Sequence, residues 1–326
     1  MTVPVLRAFT YKYPEVEVTV ISRPFFKPLF DVIPNVSFFS FDNKRHKGFF
    51  GLLALFRDLK TLNIDAFADL HNVLRSKIIR NLFALNGKKT KSVDKGRAEK
   101  KALTRANNKI FKQLPTMFER HLAVFSALGF PMNGAAPILC PKIHLSPEVE
   151  KLTGTKDQTW IGIAPFAQYE SKVYPLDLLQ IVIDGLADNP NYKIFLFGSN
   201  KDIDAINSLS NTKENVINAA GKMSFEHELQ LISNLDIMLS MDSGNAHLAA
   251  MYGIKVVTLW GATHPFSGFS PAGQPQENAL VSDREQFPKL PTSVYGNVKV
   301  AGYENAMRTI PPQMVIEKIE QLLKSN

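Results

Sequence analysis

Asp242, Ser243, Gly244 and His247 sit where an apolar run, LDIMLS (235–240), gives way to a short helical stretch ahead of a second apolar run, KVVTLWG (255–261). In a parallel α/β sheet, ligands gather where strands end and helices begin. A helix opening near Ser243 presents free N–H groups and a partial positive charge, a seat for phosphate. Gly244 has no Cβ, so a ligand can come close to the backbone there. The negative charge of Asp242 would repel a phosphate, and its carboxylate better suits sugar hydroxyls as an acceptor. The same residues support a plainer reading equally well: Asp242 as an N-cap and His247 as a half-buried side chain with its hydrogen bonds satisfied.

Three further junctions are unusually polar. Lys172, in APFAQYESKVYPLDLL (164–179), stands after a strand and before a helix opened by Pro175. One ammonium there can hold a diphosphate as a point charge, although a lone loop lysine is more often a solvated one. In LFGSNKDIDAI (196–206), Asn200 follows Gly198 and Ser199 at a strand end, either as a ligand contact or as part of a plain turn. In AAGKMSFEHELQLI (219–232), Met223 can face a flat ring through its adaptable sulfur or join the core. Ser224 then caps the next helix, with Glu226 and Glu228 in its first turn. No P-loop, G-x-G-x-x-G, H-E-x-x-H or G-x-S-x-G occurs, which removes the commonest NTPase, dehydrogenase, metalloprotease and hydrolase readings.

The elements that must position these residues alternate. In the first half, a helix over 1–13 is followed by strands at 16–22 and 36–41. A helix at 48–62 carries Leu52, Leu55, Phe56 and Leu59 on one face, and a strand at 64–70 and a helix at 73–85 come next. The segment 86–112 breaks the rhythm and reads as a loop or mobile helix. A helix over 115–130 ends at Gly129. Four prolines between 131 and 158 (Pro131, Pro137, Pro141, Pro147) mark a linker. Strands at 159–165, 192–198, 215–220, 235–240 and 255–261, with helices between, restart the pattern. Alternation of this kind implies βαβ units and parallel sheets. Two Rossmann-like domains are expected, residues 1–150 and 151–326, with the C-terminal helix a candidate to pack back on the first.

A chain of 326 residues is too long for one ordinary core. Its 45% apolar and 21% charged content is that of a globular protein. A single cysteine, Cys140, excludes a disulfide framework. No run of apolar residues is long enough to span a membrane. The net charge of +8 favours an acidic substrate, an anionic membrane surface or nucleic acid. Much of it is concentrated between Lys88 and Lys112, where acids are scarce. No aromatic–basic interleaving supports nucleic acid.

In order along the chain, PFAQYESKVYP, LFGSN, GKMSFEHELQLISNLDIMLSMDSGNAHLAAMYG and VVTLWGATHP resemble the donor-binding half of glycosyltransferase family 9, which includes the lipopolysaccharide heptosyltransferases. TVPVLRAFTYKYPEVEVTVISRP, FADLHNVLRSKIIRNL and KGRAEKKALTR resemble its acceptor-side domain. The resemblance implies a GT-B architecture, two Rossmann-like domains facing across a cleft. It also implies inverting, metal-independent transfer from a nucleotide-diphosphate sugar, typically ADP-heptose, with no cofactor. In that picture Lys172 holds the diphosphate and Met223 lies near the adenine. Asn200 takes the place where relatives often carry an acid for the ribose. Asp242, Ser243, Gly244 and His247 line the sugar–diphosphate site, and Thr263 shapes the same pocket. The acceptor implied is an anionic glycolipid core. Candidates to meet it are Asp69, His71, Arg75, Lys95 and Arg97, in a cytoplasmic enzyme of Gram-negative origin that touches the inner leaflet through its basic stretch.

The sequence departs from the family pattern in two places. The family opens with a strand ending in Gly-Asp, whose aspartate is the expected general base, just ahead of the helix that reads here MTVPVLRAF. That position precedes Met1, so no catalytic residue is assigned within the chain. The expectations that follow are an upstream start, a first sheet opened at its centre and impaired turnover. A nucleotide-sugar binder without the base is the alternative. Residues 287–307 also lack the cysteines of some relatives.

Overall fold

The computed structural model describes residues 1–210 and 213–325. The chain divides into two compact units, one of Met1–Arg97 with Pro115–Ile138, the other of Ala98–Leu114 with the chain from Leu139 onward.

Unit 1 begins with α1 (Thr2–Lys12), β1 (Val18–Ser22) and β2 (Val36–Ser40). It continues through α2 (Gly48–Lys60), β3 (Ala66–Asp69), α3 (Leu74–Leu85) and β4 (Lys89–Ser92). The next helix, α4 (Arg97–Thr104), leads the chain into unit 2, and α5 (Met117–Leu128) returns it. Leu52, Leu55 and Leu59 of α2 repeat at helical spacing and bury against Ile79 and Phe83 of α3, with Phe39 and Phe67 of the strands packed on them. Phe9 of α1 stacks on Phe125 of α5 at 4.3 Å between ring centroids. Thr116 and Glu119 form a reciprocal capping box at the start of α5, and Gly129 ends it at φ 105°.

The strands of unit 1 do not form one sheet. β1 pairs with β2 and β3 with β4, each pair parallel, and among the described residues neither pair hydrogen-bonds to the other. Every residue of β1 is only partly buried, although its sequence, VTVIS, is mostly β-branched. A complete parallel sheet buries its strands on both faces, as unit 2 does.

Unit 2 contains α6 (Pro147–Thr153), β5 (Thr159–Ala164), α7 (Leu176–Ala187), β6 (Tyr192–Leu196), α8 (Ile203–Ser210) and β7 (Val216–Asn218). These are followed by α9 (Phe225–Ser233), β8 (Ile237–Met241), α10 (Gly244–Met251), β9 (Lys255–Trp260), β10 (Ala279–Val281) and α11 (Pro312–Lys324). Its six parallel strands lie in the order β10-β9-β8-β5-β6-β7. β5 and β8 are central and almost wholly buried, as continuous apolar runs require. The strand order reverses between them, and at such a switch point the outgoing loops splay apart to leave a crevice at the carboxyl ends of the strands.

Two expectations are corrected. The break between units falls at Ile138–Leu139 rather than at 150, and the helix α6 occupies the middle of the expected linker. Cys140 N–H already bonds to Met251 O at 2.7 Å, which ties the chain to unit 2. The basic stretch, expected as a loop or mobile helix, holds the strand β4 as well as the helix α4, and residues 98–114 fold with unit 2. There Lys109 Nζ donates to Leu103 O (3.0 Å) and Pro291 O (2.7 Å), and the Arg284 guanidinium lies 3.4 Å above the Phe111 ring. Helix α11 packs on α7, β8 and β9 of its own unit. Gly185 permits the close approach, since a Cβ there would come within 2.7 Å of Ile316.

Candidate functional site

The loops leaving β5 and β8 carry the residues singled out above. Lys172 ends a 3-10 turn, Glu170–Lys172, after β5. Asp242 follows β8 directly and Ser243 is the N-cap of α10. The Lys172 ammonium lies 3.2 Å from Asp242 Oδ2, with both side chains about nine-tenths buried. Thr263 Oγ1, from the turn after β9, donates to the same oxygen at 2.9 Å. Burial holds the Asp242 carboxyl above the usual carboxylate range, against the pull of Lys172 and Thr263. Among the described residues no donor reaches Oδ1.

The geometry removes the cap reading of Asp242. Ser243 holds the N-cap position without a side-chain hydrogen bond to the helix, its hydroxyl lying 3.0 Å from that of Ser240. Among the described residues no side chain is recorded as accepting from the first-turn amides of α10, and a Cβ on Gly244 would meet nothing within 4 Å. An anion at this point would find free N–H groups, the positive end of the helix and the Lys172 ammonium together. His247 is not a satisfied core residue either. Its Nδ1 is buried without a partner, and burial pushes its pKa down to about 3, with Lys172 adding to the effect, so the ring is neutral at physiological pH.

Asn200 and Met223 occupy the loops after β6 and β7. A Cβ on Gly221, at φ +68°, would come within 2.7 Å of Asn200 Oδ1, so glycine allows the two loops to touch. Met223 is half-buried. Ser224 caps α9 as expected, accepting from His227 N–H at 3.2 Å.

Glu228, one turn into α9, is pushed up to about 7 by burial. A carboxyl whose folded pKa lies above its ordinary value of 4.5 favours folding while protonated. That contribution is complete below 4.5 and is lost as pH rises through 7. Wild type should therefore lose stability between pH 5 and pH 8 relative to Glu228→Gln, by roughly 1–3 kcal/mol. Denaturant midpoints of both proteins across that range would check it, and parallel curves would exclude the effect.

The sequence reading missed what holds Lys172 in place. Ser171 Oγ donates to Gly296 O at 2.6 Å, and Ser293 Oγ accepts from Gly296 N at 2.9 Å. Gly296 lies at φ +87°, and a Cβ there would come within 2.7 Å of Lys172 Cγ. A loop 125 residues downstream thus forms one wall of the lysine's channel. Nothing local in that segment marks Gly296 as different from a turn glycine. Gly296→Ala should cost about 2 kcal/mol or more, from the positive φ and the overlap together. In a Lys172→Ala background the overlap is absent, so a smaller cost there, read from urea unfolding, is expected. Equal costs would mean that the two residues act independently.

In unit 1, Asp69 is buried at the end of β3, where Oδ1 accepts from His71 N–H (3.1 Å) and Asn72 N–H (2.6 Å) and Oδ2 lies 3.4 Å from Arg80. It shapes the β3–α3 loop. Burial lowers the pKa of His71 first, then the charge of Lys95; burial and then Arg97 lower that of Lys95. Lys95, Arg97 and exposed Arg75 form a positive cluster near the carboxyl ends of β3 and β4, with the uncharged ring of His71 beside it. Lys100 is not part of it: its ammonium lies 4.1 Å above the Phe269 ring in unit 2. Among the described residues no group of His, Cys, Asp or Glu is arranged as a metal site, and no helix is long and apolar enough to cross a membrane.

The family model for glycosyltransferase family 9 (heptosyltransferase) matches residues 52–298, most of the chain. The chain belongs to glycosyltransferase family 9. Lipooligosaccharide heptosyltransferase 2 of Haemophilus influenzae is 27% identical over 243 residues, covering 67% of this chain and 65% of the relative. Lipopolysaccharide heptosyltransferase 2 of Escherichia coli is 26% identical over 230 residues, 64% of this chain and 62% of the relative. The aligned part thus spans slightly under two thirds of these relatives' length. Among solved structures, a family 9 glycosyltransferase of Veillonella parvula aligns with a TM-score of 0.77 at 19% identity, covering 100% of this chain and 93% of its own. An Escherichia coli heptosyltransferase solved with ADP aligns at 0.69 and 16% identity, covering 98% and 95%. These likenesses show the GT-B fold.

Proposed function

We propose that this chain is a glycosyltransferase that moves a heptose-type sugar from an ADP-sugar to a lipopolysaccharide core or related glycan, with inversion and without a metal ion. The observation that carries the reading is the meeting of Lys172, Asp242 and the uncapped start of α10 at the switch point of the unit 2 sheet. Family membership, the relatives' names and the structural neighbour solved with ADP support it. Lys172 and the α10 amides hold the diphosphate, assisted by the neutral His247. The free Oδ1 of Asp242 accepts from a sugar hydroxyl while Thr263 fixes the carboxylate. Met223 lies against the adenine and Asn200 serves the ribose. An acceptor hydroxyl attacks the anomeric carbon from the face opposite the diphosphate and releases its proton to water, no residue of this chain being assigned as its base. The C–O bond to the diphosphate breaks, and its electron pair is received by preorganised positive charge. Arg75, Lys95 and Arg97 draw an anionic glycolipid to unit 1, at the cytoplasmic face of the inner membrane, and His71 beside them meets it as a neutral hydrogen-bonding ring.

One observation favours a second reading, a donor-binding protein without turnover. Asp69, the acid of the acceptor-side set, has its two oxygens committed to amides and Arg80, and so is a poor general base. Calorimetry with ADP and ADP-heptose tests the donor site, and a transfer assay with a core glycolipid tests turnover. No binding at millimolar ligand would sink both readings, whereas binding without transfer would select the second.

A further inference from the structure

One exposed aromatic ring stands beside the channel of Lys172. Tyr295 is 51% exposed, the most exposed Phe, Tyr or Trp of unit 2 among the described residues. It directly precedes Gly296, which walls the lysine. Its loop is firmly anchored. Thr292 N–H and Ser293 N–H both donate to Ala262 O, at 2.9 and 3.2 Å. The buried Ser293 hydroxyl accepts from Tyr295 N–H (3.3 Å) and Gly296 N–H (2.9 Å) and donates to Asn297 Oδ1 (3.1 Å). The ring itself leans on Phe269, with 5.6 Å between centroids. Phe269 is in turn held by the Lys100 ammonium, 4.1 Å from its ring centroid. An exposed ring fixed in this way loses little freedom when a ligand covers it.

Strand order gives this ring a place along a donor. In the order β10-β9-β8-β5-β6-β7, the loops after β5 and β8 hold Lys172 and Asp242. Asn200 and Met223 follow β6 and β7, to one side of them. The loop of Tyr295 is bonded to the turn after β9, on the other side, where Thr263 reaches Asp242. A nucleotide-diphosphate sugar is linear in its parts: nucleoside, diphosphate, sugar. With the nucleoside beside β6 and β7 and the diphosphate at Lys172, the sugar runs on toward β9 and the Tyr295 ring.

From these observations we infer that Tyr295 is a platform for the donor's sugar, an inference that rests on the donor reading above. The C–H groups on one face of a sugar ring are apolar and faintly positive, and they settle on the negative face of an aromatic ring. Ligand pockets use aromatic walls in this way, with a few polar groups to fix orientation. Here the ring takes the apolar face of the sugar while Asp242 takes a hydroxyl. Tyr295 makes and breaks no bond; it sets which activated sugar is held. ADP alone lacks the part that Tyr295 covers, so the two ligands separate its role from that of Lys172.

The test is calorimetric titration of the full chain, as wild type, Tyr295→Ala and Tyr295→Phe, with ADP and with ADP-heptose. Tyr295→Ala should bind ADP-heptose about three- to tenfold more weakly than wild type and ADP equally well. Tyr295→Phe keeps the ring and should match wild type with both ligands. Retained ADP affinity serves as the check that unit 2 is folded. Unchanged ADP-heptose affinity in Tyr295→Ala would overturn the platform, and a raised KM for the glycolipid acceptor alone would then assign the ring to the acceptor. An equal loss for ADP would also overturn it, making the ring a prop for the lysine channel. So would a Tyr295→Phe as weak as Tyr295→Ala, which would move the effect to the phenol hydroxyl. A wild type that binds neither ligand would overturn the donor reading and the platform together.

Discussion

Lys172→Ala is expected to weaken ADP binding by about 10- to 100-fold while leaving adenosine binding unchanged. In the proposed reading the ammonium makes one charge-assisted interaction with the diphosphate, and such bonds contribute roughly 1.5–3 kcal/mol. Adenosine lacks the phosphates and so should not sense the loss. Lys172→Arg should recover only part of the affinity. The channel beside Gly296 fits a narrow methylene stem, since a Cβ placed on Gly296 would lie only 2.7 Å from Lys172 Cγ, and a guanidinium is broader and planar. Calorimetric titration of the three proteins with both ligands decides the matter. Equal losses for ADP and adenosine would point to a damaged fold, and no loss would remove Lys172 from the site.

The second large effect has a different signature. Asp242→Ala removes the carboxylate that Lys172 and Thr263 share at 3.2 and 2.9 Å and leaves a mostly buried ammonium unpaired. Breaking such a pair costs about 3 kcal/mol, or roughly 6–12 °C in the melting temperature of a unit this size. Asp242→Asn, which preserves the shape and the bond from Thr263, should lose less. Neither variant should weaken ADP binding, because the negative charge nearest the diphosphate has gone and the ammonium is released toward it. Transfer should fall in both if Oδ1 holds the sugar. A stable Asp242→Ala protein with full transfer would reduce the residue to a local contact.

Much of the candidate site's geometry was legible because it is local. A strand that ends in Asp-Ser-Gly and is followed by alanine-rich sequence puts the residues of 242–247 at one junction, and the βαβ rhythm puts Lys172 at another. Whether those two junctions are neighbours depends on strand order, which the rhythm alone leaves open; the β10-β9-β8-β5-β6-β7 arrangement brings them together. The cap reading of Asp242 gave way to Ser243 in the N-cap position and to a carboxylate taken up by Thr263 and Lys172, 21 and 70 residues away, partners that no local pattern shows. Gly296 was invisible for the same reason. In the basic stretch, charge masked structure: KTKS has too few apolar residues to read as a strand, yet it pairs with β3 from Ala66↔Lys89 to Asp69↔Ser92. The three residues of β10 were too few to show any period.

The two parallel ribbons of unit 1 have a consequence for handling the protein. A two-stranded ribbon leaves as many main-chain donors and acceptors unmated as it pairs, and such rims are templates for any extended peptide that offers a complementary backbone. β1 carries VTVIS and β2 VSFFS, with neither charge nor proline to discourage annealing. Concentrated solutions should therefore thicken into cross-strand oligomers from this half of the chain first, with thioflavin fluorescence rising before the tryptophans of the other half are disturbed. A short β-branched peptide added in excess should compete for the rims and delay the process.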